Sequence, residues 1–311
     1  MSFTSKNKAK EIKAKNDKLK QLQLEVQTEV SQEFSQMVDD FHGMDIRDDY
    51  KLDIQILQWK IEEMTDGKNN LRGTWDDNLS TFSPSGVDSC ERSLAFKILD
   101  ADEDETTMEP YQRRWVKNGS AVHERMQRDL LYIEKYLPNA PFEVFRTKEG
   151  KPAWERNTRT VKQFEHNGEK FQIYGMVDGM LWDKKRKKII GYDFKTKSTT
   201  IATVGDYKLK VPQENNVVQM VAYSLLFDVD EYLIHYESLA KDGWMKGKEA
   251  RNDTKVFHIK ITEEMKKSLL DKLAGIVKEL REDQLPAPDY NKCLFCKYKE
   301  ICSEVEKGEL E

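Results

Sequence analysis

Apolar and polar positions along the chain change period several times. Residues 5–65 carry Lys, Glu, Gln and Leu with no Pro and a single Gly43, and Leu19, Leu22, Val26 and Val30 recur at helical spacing. This predicts an N-terminal helical extension over residues 1–75, either a surface arm or hairpin or a basic arm that touches DNA or a partner. A loop rich in Asp, Asn, Gly and Ser follows at 66–89. In 119–137, Ser120 is placed to cap a helix, and Val122, Met126, Leu130 and Ile133 line one face until Pro138 and Pro141 end it. Extended segments are expected at Phe142–Thr147, Val161–Glu165, Phe171–Trp182, Lys188–Lys195, Tyr232–Leu239 and Lys255–Ile261. Helices are expected at Asn215–Phe227 and at Glu263–Glu282, the latter opened by Thr262 with acids in its first turn. The alternation predicts one α/β core over residues 76–311.

The stretch GMVDGMLWDKKRKKIIGYDFKTK, residues 175–197, carries the most chemistry. Two strand-like runs flank a turn at Asp183–Lys188, and Asp178 and Asp193 are equidistant from its midpoint. A symmetric hairpin sets the two carboxylates opposite each other, with Cβ atoms about 5 Å apart. Opposed like charges destabilise a sheet and resist double ionisation, and a hard divalent cation, Mg²⁺ or Mn²⁺, removes that conflict. Lys195 lies two residues beyond Asp193, hence on the same face, where an ammonium can orient water or stabilise charge on a phosphate. Phe194, Tyr192 and Ile190 point the other way, into the core. The plainer reading is a solvated face on an ordinary hairpin, and a one-residue register slip would separate the pair.

Other residues can converge there. Gln219 and Tyr223 stand four apart on one helix face. His123, in the first turn of its predicted helix, is a competent metal ligand when neutral, although a structural role is the default for a lone histidine. Arg113, Arg114 and Trp115 combine cations with an aromatic ring, a set that suits nucleic acid as well as it suits a surface salt-bridge patch. The run KKRKK at 184–188 reads as a solvated turn.

Composition narrows the class. The chain has 311 residues, 38% apolar and 34% charged, and a net charge of -5, which leaves nucleic-acid binding to local patches. Seven Lys fall in the first 20 residues, and 102–105 is wholly acidic. No apolar run is long enough for a membrane helix, and the start lacks the apolar stretch of a secretory signal, so a cytoplasmic location is expected. In such a compartment clustered thiols indicate metal rather than disulfides. Cys293, Cys296 and Cys302 form C-x2-C-x5-C, and Cys90 lies 203 residues before Cys293. Three close thiols and a remote fourth suit a [4Fe–4S] cluster better than Zn²⁺, whose structural sites use two close pairs. Tying Cys90 to the trio closes a loop of about 200 residues, a chain-entropy gain of roughly 5 kcal/mol by analogy with a disulfide.

Taken together, His123, Gly175-Met176-Val177-Asp178, Asp193-Phe194-Lys195 and Gln219-x3-Tyr223 resemble the RecB-like branch of PD-(D/E)XK nucleases. The four cysteines resemble its iron–sulfur-stapled members, which include CRISPR-associated adaptation nucleases and the nuclease domain of AddB. The resemblance covers about residues 84–302. It implies a restriction-endonuclease-like core, a mixed sheet flanked by helices, and metal-dependent cleavage of DNA. It implies that His123, Asp178, Asp193 and the backbone carbonyl of Phe194 hold the metal, that Lys195 positions or activates water, and that Gln219 and Tyr223 support the active face. Glu143 is the candidate for a further family carboxylate. The expected activity is a DNA exonuclease in recombination, repair or end processing. A structure-specific or single-strand endonuclease and a non-catalytic DNA-binding iron–sulfur scaffold are the alternatives. No G-x4-G-K-[ST] motor motif occurs, so the chain is expected to act as a stand-alone nuclease or beside a separate helicase or recombinase.

Overall fold

The computed structural model describes residues 29–65, 71–105 and 108–308; Leu19, Leu22 and Val26 lie outside these. Val30, Phe34, Met37, Val38 and Phe41 recur at helical spacing and form the buried stripe of α1 (Glu29–His42). The helical stretch expected through residue 65, as an arm or a hairpin, breaks after His42. Asp49 ends the break by accepting the backbone N–H groups of Lys51 and Leu52, both at 3.1 Å, and so starts α2 (Tyr50–Thr65).

After a short strand β1 (Ser80–Phe82) and α3 (Glu91–Ile98), the chain forms the long helix α4 (Pro110–Tyr136). Its start differs from the expected Ser120 cap. Glu109 and Gln112 make a reciprocal capping box, with Pro110 in the first turn, where its missing N–H has no partner to lose. Ser120 is inside the helix, and its hydroxyl donates back to the Val116 carbonyl at 3.2 Å. Arg113, Arg114 and Trp115 are therefore helical, and His123 sits near the middle of α4 rather than in its first turn.

Among the described residues, eight strands make two sheets. Besides β1, these are β2 (Phe142–Val144), β3 (Thr160–His166), β4 (Glu169–Gly175), β5 (Gly179–Asp183), β6 (Lys188–Lys197), β7 (Glu231–Ser238) and β8 (Thr254–Lys260). One sheet has the order β1-β4-β3, the other β2-β5-β6-β7-β8. The long strand expected at Phe171–Trp182 is two strands in different sheets. Between them, Val177 leaves the ladder: its N–H donates to Thr158 Oγ1 at 3.2 Å and its carbonyl accepts from Glu155 N at 2.8 Å. The chain crosses from sheet to sheet at Met176–Asp178.

The β5–β6 hairpin pairs Gly179 with Tyr192 and Asp183 with Lys188, and Asp178 and Asp193 lie one residue beyond the last pair. Strand β6 then runs parallel to β7. Ile190, Tyr192 and Phe194 face a core shared with α1 and α4, while Tyr232, Ile234 and Tyr236 of β7 face a second core built with α5 (Glu214–Phe227) and α6 (Glu263–Arg281). The result is a mixed α/β architecture with helices on both faces of the larger sheet. Gly191 is required where Tyr232 crosses β6: a Cβ there would lie 2.0 Å from the ring. Gly191→Ala is expected to destabilise the fold by about 1–3 kcal/mol, read as a lower midpoint in urea at unchanged slope.

The 184–188 turn is not simply solvated. Lys185 and Arg186 pair with Glu29 and Glu33 of α1, because that helix docks across the end of the hairpin. No described helix is long and apolar enough to cross a membrane.

Candidate active site

The β4–β5 crossover, the second half of β6 and the middle of α4 meet at one cluster. Asp178 Oδ2 accepts the backbone N–H of Phe194 at 3.0 Å and lies 3.1 Å from His123 Nε2. On its other side, His123 Nδ1 is 3.6 Å from Glu155. His123, Glu155 and Asp178 are the one group among the described residues whose His, Cys, Asp or Glu ligand atoms all lie within 4.8 Å of one another. Asp193, which follows the Gly179 partner Tyr192, is fully buried and is not a member of that group. Lys195 Nζ is 2.9 Å from its carboxylate and donates to Gln219 Oε1 at 3.1 Å, and Gln219 Nε2 donates to Tyr223 Oη at 3.0 Å. A chain of hydrogen bonds from α5 thus holds the ammonium over Asp193.

Glu143 is not part of this group. Phe142 and Val144 are buried, so strand alternation turns Glu143 the other way, and it pairs with Lys184 at 3.4 Å by the hairpin turn. Glu155 supplies the further carboxylate. It follows the buried Trp154 in a short 3₁₀ turn with φ 46°, a left-handed conformation uncommon for a residue of this kind. Gln127, one helical turn after His123, reaches Glu155 at 3.5 Å and donates to the Asp178 carbonyl at 3.3 Å. The sequence signal for Glu155 was weak: a lone acid between buried Trp154 and buried Asn157, 23 residues before Asp178.

Charge crowding sets the electrostatics. Burial, and then the charge of Asp178, push Asp193 up to about 7. The same two causes, in the same order, push Glu155 up to about 7. Burial also opposes ionisation of Asp178, but His123 holds its carboxyl below the usual range. For His123, burial favours the neutral ring, yet Asp178 raises its affinity for a proton. Both Asp193 oxygens lie 2.9 Å from the Lys195 ammonium in a fully buried position. A buried carboxylate with a raised pKa beside further acids is the environment that a hard divalent cation fits.

These shifts carry a sign. A carboxylate whose folded pKa is raised stabilises the fold below its unfolded value and loses that contribution as pH rises through the folded value. In EDTA, stability should therefore fall between about pH 4 and 7. Asp193→Asn should flatten that fall and raise the melting temperature at pH 7.5, and excess Mn²⁺ should raise it in the unsubstituted protein. A thermal series over pH in EDTA and in Mn²⁺ reads all three.

The four cysteines form a second site, away from the carboxylates. They line one cavity of about 390 Å³ together with Phe96 and Tyr298. Cys90 directly precedes α3, and Cys302 lies in α7 (Lys299–Lys307). The Asp289 N–H points at Cys90 Sγ (3.2 Å) and the Tyr298 N–H at Cys296 Sγ (3.4 Å). Arg92 Nη1 lies 3.9 Å from Cys302 Sγ. Burial, and then Cys296, Cys90 and Cys302, push the Cys293 thiol up. The acidic run 102–105 has a structural use here: Asp104 accepts the first N–H groups of α7, from Lys299 at 2.8 Å and Glu300 at 3.2 Å, and Glu103 pairs with Lys297.

No curated protein matches the chain. Among solved structures, it is similar to SSO0001, with 15% identity over 80% of this chain and 96% of that one, at a TM-score of 0.42. It is also similar to LHK-Exo, solved in complex with dAMP, with 10% identity over 66% and 90% of the two chains and a TM-score of 0.38. Scores below 0.5 leave the assignment to sequence. There, the family described as the PD-(D/E)XK nuclease superfamily matches residues 85–303, which span the crossover, both aspartates, Lys195 and all four cysteines. With 219 of 311 residues in that match, and the mixed α/β fold and its acidic cluster in place, the chain belongs to the PD-(D/E)XK nuclease superfamily.

Proposed function

We propose that the protein is a divalent-metal-dependent DNA exonuclease of the RecB-like branch, stapled by an iron–sulfur cluster. The observation that carries the nuclease reading is the His123–Glu155–Asp178 cluster together with the fully buried Asp193 paired to Lys195. His123, Glu155, Asp178 and Asp193 would hold Mg²⁺ or Mn²⁺, with the Phe194 carbonyl as a further donor. The ion would stabilise negative charge on a phosphate and make water more acidic.

The chain's own groups do the rest. Lys195, fixed by Gln219 and Tyr223, presents its ammonium where a phosphate oxygen or an attacking water would lie. Gln127 holds Glu155 and the Asp178 backbone and so keeps the carboxylates in place. Phe194 packs its ring against His235 at 5.0 Å and His123 at 5.8 Å, which fixes the strand under the site. Burial holds His235 near 3, so it stays neutral, and its Nδ1 shares a hydrogen bond with the Tyr192 hydroxyl at 3.0 Å. Arg113, Arg114 and Trp115, exposed on the first turns of α4, would bind the substrate backbone and bases.

Cys90, Cys293, Cys296 and Cys302 would hold a structural [4Fe–4S] cluster, which would supply a covalent tie between the two ends of the domain. Three close thiols with one remote partner, rather than two close pairs, favour the cluster over Zn²⁺.

Preference for DNA ends rests on the family resemblance. End-labelled linear DNA and covalently closed single-stranded circles, each with Mg²⁺, Mn²⁺ or EDTA, test it. Metal-dependent release of label with intact circles supports the exonuclease. Cut circles would make it an endonuclease, and binding without cleavage in any metal would leave a scaffold.

A further inference from the structure

The C-terminal ends of β6 and β7 lie side by side, Lys197 opposite Ser238, just beyond the Asp193–Lys195 segment. The β7–β8 connection, residues 239–253, leaves from this end. At its tip stand Trp244, 98% exposed, and Met245, 93% exposed. The loop that holds them is braced. Asp242 closes its neck by accepting from the N–H and Nε of Arg251, both at 3.1 Å, and Lys241 pairs with Glu237 and Asp253. Gly247 turns the chain at φ 52°. Lys246 and Lys248 follow the two apolar side chains, and both are exposed, as is Glu249. A large indole and a thioether kept in water on a braced loop beside two lysines suit a ligand with flat apolar faces and negative charge.

Two other elements reach the same end. The β6–α5 connection presents Tyr207, 96% exposed, with exposed Lys208 and Lys210. Helix α4 crosses β6 where Gly119 meets Thr196: a Cβ on Gly119 would lie 3.2 Å from its hydroxyl. The turns before Gly119 therefore overhang the strand end. Cations alternating with exposed rings at the mouth of a phosphodiester-cleaving site match a single strand, whose unstacked bases offer π-faces and whose phosphates offer charge.

Resting on the nuclease reading, we infer that the Trp244–Met245 hairpin is a stacking platform for single-stranded DNA entering or leaving the active site, with Lys246 and Lys248 on its phosphates. Lys197 lies four residue steps beyond Asp193, about 13 Å at strand spacing. The platform therefore engages the strand away from the scissile phosphate rather than at it.

The test separates binding from cleavage. In EDTA, fluorescence anisotropy measures affinity for a labelled 20-nucleotide single strand. Trp244→Ala/Met245→Ala should weaken binding about tenfold or more. Trp244→Phe should retain most of the affinity. Lys246→Gln/Lys248→Gln should lower the slope of log affinity against log salt by about 1.4. With Mn²⁺, hydrolysis of bis(p-nitrophenyl) phosphate, too small to reach the loop, should be unchanged in the Trp244/Met245 variant. That result also shows the variant is folded. Single-strand affinity equal to that of the unsubstituted protein would overturn the inference, as would an equal loss on a blunt duplex. If the nuclease reading fails, no protein hydrolyses the small diester, yet the difference in EDTA binding persists; the two failures are thus distinct.

Discussion

Asp178→Asn and Lys195→Ala are each expected to lower metal-dependent DNA cleavage by roughly 10³-fold while leaving the protein folded. The two act differently. Asn at 178 keeps the shape and the acceptor for the Phe194 N–H but removes one charge from the His123–Glu155–Asp178 group. Metal affinity should fall with it, seen by calorimetry with Mn²⁺. Ala at 195 removes the ammonium and leaves the three clustered ligands in place, so metal should still bind. Asp193 loses its one ion pair in that variant, and its pH-dependent destabilisation in EDTA should deepen. Cleavage at the unsubstituted rate by both variants would sink the assignment of this site. Glu155→Gln separates the observed carboxylate from the one expected at Glu143: loss at 155 with an unaffected Glu143→Gln is the expected outcome.

The second large effect concerns the thiols. Cys90→Ser and Cys296→Ser should each abolish the brown visible absorption of an iron–sulfur cluster and release iron. Opening a loop of about 200 residues removes roughly 5 kcal/mol in the chain-entropy picture, about 10 °C in melting temperature for a chain this large. The loss should be the same for either cysteine, because either one opens the loop. The contacts that remain, such as Arg92 Nε donating to the Pro286 carbonyl at 2.7 Å and Arg92 pairing with Glu306, should keep the variants folded at low temperature. A colourless unsubstituted protein containing zinc would overturn the iron–sulfur reading. A melting temperature indifferent to Cys90 would remove the staple's mechanical role.

Much of the geometry was legible because it follows from local periods. A strand alternates every two residues, so Lys195 shares a face with Asp193 once β6 is recognised. A short symmetric turn sets the pairing of its flanks, and the register found pairs Gly179 with Tyr192, the immediate neighbours of Asp178 and Asp193. An α-helix repeats near every fourth residue, and Gln219 reaches Tyr223 across one turn. The start of α4 was also legible but was misplaced. Glu109-Pro110 with Gln112 is a complete capping signal, and the Gly119-Ser120 pair competed with it.

What the chain alone determined was therefore the local order: strands, helices, the spacing of two aspartates about a turn, a lysine in phase with one of them, and four thiols in a single pattern. Periodicity and turn geometry act between neighbours and need no knowledge of the rest. Only the tertiary structure decided that Phe171–Trp182 splits between two sheets, that Glu155 rather than Glu143 joins His123 and Asp178, and that α1 docks on the 184–188 turn. Those outcomes depend on which distant surfaces bury each other. Glu155 enters the site because its own N–H is held by the Val177 carbonyl, a contact between segments with no common period.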